Sequence, residues 1–140
     1  MSAVHFQYKA DSASLSDIRE DLRNELSLNG IDKEQQDKII VAVNEVCMNI
    51  ICHASNGHYS GNIDINISFE ADKLLIEVDD DAEPANLDRL KLIKKDKLSP
   101  GGLGLFFIDE IMDDVVYSHR ESSTGNSVRM IKVLNKQHEI

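Results

Sequence analysis

Positive charge is scarce in this chain. Fifteen Lys and Arg stand against twenty-five Asp and Glu, a net charge of −10 at pH 7, which argues against nonspecific binding to nucleic acid. Long hydrophobic runs are missing as well, and nothing approaches the roughly 18–20 apolar residues of a membrane span. Neither direct nucleic-acid binding nor a membrane partner is expected. There are two cysteines, Cys47 and Cys52. Five positions apart on one helical stretch, they point in different directions and cannot easily bond to each other. No second Cys or His cluster completes a metal site, so buried, reduced thiols in a cytoplasmic protein are the expectation. The first residues, MSAVHFQYKAD, have neither a basic n-region nor an apolar h-region, and no secretory signal is expected. Internal repeats and low-complexity linkers are lacking too. The 140 residues, 41% apolar and 29% charged, are expected to form a single domain over 1–140, with 135–140 a frayed tail.

What is present in quantity is one apolar run, Ile39–Ala54. Ile39, Ile40, Val41, Val43, Val46, Cys47, Met48, Ile50, Ile51 and Cys52 suit a buried helix. Glu45, Asn49 and His53 interrupt it at a spacing of four, which stacks them along one helical face. A carboxylate and an amide are costly to bury without partners. Two explanations stand: a polar seam that meets solvent or a neighbouring loop, or the lining of a pocket with Glu45 as a base and Asn49 as a metal or phosphate contact.

Around that run the periodicities spell out the other elements. Val4, Phe6 and Tyr8 alternate with polar residues as a strand does. Leu15, Ile18, Leu22 and Leu26 mark a helical stripe, with Ser14 placed to cap it and Asn29-Gly30 to stop it. Asp32 with Gln35 resembles a capping box for the helix that carries Glu45, which is expected to end near Ser55-Asn56-Gly57. Ile63, Ile65, Ile67 and Phe69 alternate with polar residues, and Leu74–Val78 follows a tight turn at Ala71-Asp72-Lys73. Two further strands, Val115–His119 and Val128–Val133, flank a turn at Ser122–Asn126.

Between the second strand pair and the last helix lies the sequence NLDRLKLIKKDKLSPGGLGL. Arg89, Lys91, Lys94, Lys95 and Lys97 crowd together here and lead into Pro100-Gly101-Gly102-Leu103-Gly104. Glycines directly before an apolar helix present backbone amides and a helix N-terminus to phosphate, although loops and helix starts also use glycine for steric reasons. The order β-α-α-β-β-(basic loop)-α-β-β predicts a two-layer α/β (α+β) sandwich, a mixed, largely antiparallel sheet with helices on one face.

Three separated segments then match one pattern. Glu45-x-x-x-Asn49-x-x-x-His53-Ala54 resembles the N box of the GHKL ATPase superfamily, whose members share the Bergerat fold. Asp80 at a strand end, with Pro84 four residues on, resembles the G1 box. Gly101-Gly102-Leu103-Gly104-Leu105, followed by Ile108-Asp109-Glu110-Ile111-Met112-Asp113, resembles the G2 box. The His-Ala ending of the N box and the GGLGL run are most similar to anti-sigma-factor serine kinases.

The resemblance implies ATP and Mg²⁺ as cofactors. Asn49 would hold Mg²⁺, Glu45 would be the general base, and Asp80 would accept the adenine amino proton. Gly102 and Gly104 would offer amides to phosphate, under a lid formed by the basic loop, and Ser127 would place a hydroxyl near the base. His53, Ala82, Pro84, Gly101, Leu103 and Leu105 complete the boxes. The usual G1 glycine is Ala82 here, which would strain the backbone if the position needs positive φ, or crowd adenine if it only allows close approach. On charge, one or two of the five cations, Arg89 or Lys97 first among them, are expected to reach a γ-phosphate. The implied function is an anti-sigma factor and protein serine kinase that sequesters a sigma factor and phosphorylates a STAS-type anti-anti-sigma factor. A homodimer is implied as well. The competing expectation, prompted by Ala82, is an adaptor that regulates a partner by binding alone.

Overall fold

Alternation over residues 63–69 becomes the middle of a five-stranded sheet. The computed structural model describes residues 2–53, 61–96, 102–120 and 124–134, with the side chains of Ser2, His53 and Lys94 left out of account. Strands β1 (Ser2–Lys9), β2 (Asn62–Glu70), β3 (Lys73–Asp80), β4 (Asp114–His119) and β5 (Asn126–Val133) take the order β1-β2-β3-β5-β4. Every pairing is antiparallel, so the sheet expected to be mixed has no parallel pair among the described residues. The chain leaves β3, passes through two helices to the far edge at β4, and turns back as β5 into the gap beside β3. Each neighbour therefore runs against the next.

The register decides which side chains share a face. Ile65 lies opposite Val78 and Ile67 opposite Ile76, while Val78 and Ile76 lie opposite Val128 and Met130 on β5. These residues form the buried face, under Ile18, Leu22 and Leu26 of α1 (Ser14–Leu28), Ile39, Val43 and Cys47 of α2 (Lys33–His53), and Leu105 and Ile108 of α4 (Gly102–Ile111). Each such side chain contributes about 1.5–3 kcal/mol by leaving water. The opposite face carries Asp64, Asn66, Glu77, Asp79 and Arg129, the polar half of the same alternation. Tyr8 ties the sheet edge to α1 by donating its hydroxyl to Asp21 Oδ2 at 2.7 Å. Burial and that hydrogen bond push the phenol well above its usual range.

Helix ends are largely as the sequence predicts. Asp32 Oδ1 accepts from the Gln35 amide at 2.8 Å and caps α2. Asn29 and Gly30, the latter at φ +77°, close α1 with amides bonded to Leu26 and Ser27 carbonyls. Ser14 is a correction: it is the first helical residue, Ala13 holds the cap position, and no side chain caps the helix there. Asp11 does the local work instead, its Oδ1 accepting from the Ala13 amide at 2.9 Å and its carbonyl from the Ser14 amide at 2.9 Å.

The basic segment differs more. Most of the expected loop is a helix, α3 (Leu87–Lys94), capped by Asn86, whose Oδ1 accepts from the Arg89 amide at 3.0 Å. Leu90 and Ile93, three apart, pack half-buried against the core and give the segment an apolar side that a solvated loop would not need. Lys97, Gly101, the expected helix end at Ser55-Asn56-Gly57, residues 121–123 of the last turn and the tail 135–140 lie outside the described residues.

Candidate active site

Helix α2 buries Ile39, Val43, Val46, Cys47 and Ile50, which leaves Glu45 and Asn49 one turn apart on a flank that is only partly covered. Burial of Cys47 raises its thiol to about 12, as expected for an inert core residue, whereas Cys52, expected to be buried as well, is exposed on the outer side of the helix. Neither Glu45 nor Asn49 is engaged in a side-chain hydrogen bond among the described residues. His53 is helical, with its side chain outside the description.

Helix α4 meets this flank with its first turn. A β-carbon on Gly104 would lie 2.5 Å from Glu45 Oε1, so the carboxylate sits directly against the glycine backbone. A β-carbon on Gly102 would run into the carbonyl oxygen of Asp96 and come within 3.2 Å of that of Ile93, at the end of α3. Gly102 therefore has a steric reason to be glycine, since backbone stands in the way, whereas at Gly104 the obstacle is the end of a side chain; the same close approach brings the start of α4 to Glu45. Leu103 is exposed, whereas Leu105 is buried in the core beneath. Leu105 thus serves packing, while Leu103 faces outward.

A second cluster forms where β3 ends. Asp80 is 4% exposed on the helix-covered face, with Oδ1 accepting from the Ala82 amide at 2.9 Å and from Asn126 Nδ2 at 3.0 Å. Asn126 does more: Nδ2 also donates to the Glu83 carbonyl at 3.0 Å, and Oδ1 accepts from the Ala85 amide at 2.7 Å. One amide thereby pins the segment from Asp80 to Ala85. Gly125, at φ +127°, packs so closely on the Asp80 carbonyl that no side chain fits there. Ala82 is buried, and its φ is not positive. The strain expected of an alanine at that position does not arise, and only its methyl bulk distinguishes it from glycine. Pro84 is exposed beside it.

Ser127 is corrected. It pairs with Asp79 on β3 and Ser118 on β4, so its side chain projects from the opposite face of the sheet to Asp80. Asn126, opposite Asp80 in register, shares its face instead. The signal was present in the strand period: Val128 and Met130 are apolar, and Asn126 shares their parity while Ser127 does not. Arg89 is exposed on α3 and makes no salt bridge among the described residues.

Comparison with known proteins agrees with this geometry. Residues 8–132 match the family model of the histidine kinase-like ATPase domain. The serine-protein kinase RsbW of Bacillus velezensis is 26% identical over 140 residues, covering 94% of this chain and 86% of the relative. RsbW of Listeria innocua is 32% identical over 130 residues, covering 80% of this chain and 78% of the relative. A crystal structure of the RsbU and RsbW domains of a Mycobacterium tuberculosis protein superposes with a TM-score of 0.67 at 15% identity, covering 96% of this chain and 32% of that longer one. An N-box helix, an acid at the end of β3 and a glycine-led α4 are thus embedded in a chain that belongs to the histidine kinase-like ATPases and, among them, to the RsbW-type serine-protein kinases.

Proposed function

We propose that this chain transfers the γ-phosphoryl group of ATP to a serine of a STAS-type anti-anti-sigma factor, and that it also sequesters a sigma factor. The observation that carries the proposal is the contact between Glu45 and the first turn of α4, which puts a carboxylate at the helix N-terminus where phosphate would bind. A regulator that only binds has no need of a base there. The RsbW-type relatives, themselves named serine-protein kinases, support the same reaction class. A cytoplasmic homodimer is part of the same proposal.

In this scheme Asp80 accepts the adenine amino proton, its carboxylate held in place by Ala82 and Asn126. The amides of Gly102 and Gly104 face phosphate, and Arg89 and Lys97 close over it. Glu45 takes the proton from the serine hydroxyl as the oxygen–phosphorus bond forms and the bond to the departing ADP oxygen breaks. Mg²⁺ fits the donor set, because an amide oxygen such as that of Asn49 suits a cation that keeps waters and phosphate oxygens in its shell. When bound, it would neutralise phosphate charge.

The test is incubation with Mg-ATP and STAS-type proteins encoded nearby, with phosphoserine as the readout. Glu45→Gln should keep nucleotide affinity and slow transfer by about 10²–10⁴-fold. Asn49→Ala should lower binding and transfer together. Transfer by Glu45→Gln at the normal rate would assign the base to another residue.

A further inference from the structure

Helix α2 exposes two large apolar residues on either side of Glu45: Val41, four residues before it and 47% exposed, and Met48, three after it and 37% exposed. Helix α4 does the same around Gly104, with Leu103 at 51% and Phe107 at 42%. Residues three and four apart on a helix are neighbours. Because Glu45 approaches Gly104, Val41, Met48 and Phe107 each lie within one turn of that contact and Leu103 is next to it in the chain, a loose apolar ring across the two helices. Both helices already bury their other faces, through Val43, Val46, Cys47, Leu105 and Ile108, so the ring is not a displaced part of the core. It is also not accounted for by nucleotide, since the phosphate end of ATP gains nothing from Val, Met, Leu or Phe. Asn44 Nδ2 donates to the Met48 sulfur at 3.2 Å.

We infer that this ring is the docking surface for the phosphoacceptor protein, which presents its hydroxyl from a segment rimmed with apolar side chains. The inference rests on the kinase function proposed above. A base acts only within about 2.6–3.2 Å of the oxygen whose proton it takes, so whatever carries the hydroxyl must cover the surface around Glu45, where Val41 and Met48 are exposed alongside the half-buried Asn44 and Asn49. Exposed apolar clusters with polar surroundings mark protein contacts, and aromatic and methionine side chains are enriched in them.

The test uses the full chain loaded with ADP and, as probe, a STAS-type protein encoded beside it, with binding measured by calorimetry. Met48→Ser and Phe107→Ser should each raise Kd on the order of tenfold, and Phe107→Leu should restore most of the loss. ADP affinity and melting temperature should be unchanged in all three, which separates lost docking from lost folding. Leu28→Ser, an exposed leucine at the far end of α1, should bind the probe as wild type does. With ATP, KM for the probe should rise in the two serine variants while kcat at saturation holds. Unchanged Kd in both overturns the inference. So does a wild-type chain that binds no STAS-type probe, or a ring whose substitution alters only self-association in sedimentation. Wild type that binds the probe through the ring but transfers no phosphate would sink the kinase function and leave the docking surface standing.

Discussion

Asp80 shows how much one position depends on its neighbours. A carboxylate only 4% exposed needs donors, and Ala82 and Asn126 both give theirs to Oδ1. Asp80→Asn keeps the size and removes the charged acceptor, so ADP affinity should fall by one to two decades, since a hydrogen bond to a charged group is worth about 1.5–3 kcal/mol. Calorimetry with ADP measures this, and an unchanged affinity would move adenine recognition elsewhere. Gly104 tests the other cluster. Gly104→Ala would set a methyl against Glu45 Oε1, the end of a side chain that can swing away. Folding should be little affected, while transfer falls about 10²-fold, the cost of displacing a catalytic group by roughly 1 Å. A melting curve and a transfer assay on the same variant separate the two effects.

Among the elements, α3 is where pattern and structure part most. Five cations and a following glycine cluster suggested a loop, but Asn86 caps a helix and Leu90 with Ile93 anchor it. A cap-to-core anchored helix can still act as a lid if it moves as a unit, and Arg89 is exposed and has no salt bridge among the described residues. Hydrogen exchange over residues 86–98 should therefore show graded protection, most with ATP, less with ADP and least without nucleotide. Equal protection in all three states would mean that this segment does not close over phosphate. Sequence placed every strand near its position, because alternation survives wherever one face is buried. Helix caps were less legible: Ser14 looked like a cap, yet Asp11 holds that turn, since several polar residues compete for the same few amides.

At the scale of the whole molecule, a net charge of −10 sets attraction between α1 and α2 against the general repulsion of an acidic chain. Arg23 and Lys33 both reach Asp37, at 2.8 Å and 3.0 Å. The Arg23 hydrogen bond, then that of Lys33, holds the Asp37 carboxyl below its usual range. A lowered folded pKa contributes stability above the unfolded value of about 3.9 and loses it as pH falls through the folded one. The pair is exposed, so the effect is small. Asp37→Asn should melt slightly below wild type at neutral pH, with the difference shrinking as pH falls below the usual carboxylate range. A difference that persisted in acid would point to lost packing rather than to the ion pairs.

The sequence by itself determined the layers. Alternating apolar residues require a half-buried sheet, 3.6-period stripes require helices to cover it, and the boxes around Glu45, Asp80 and Gly102 are local patterns that survive without coordinates. Tertiary structure decided what depends on which residues meet. The β3–β5 register turned Ser127 away from Asp80 and brought in Asn126. The backbone at Ala82 adopted a conformation open to alanine, and the crossing of α2 and α4 set Gly104 against Glu45 with exposed apolar residues on both sides. Periodicity records which face of an element is buried, but not its neighbour or register, because those follow from the packing of segments far apart in the chain.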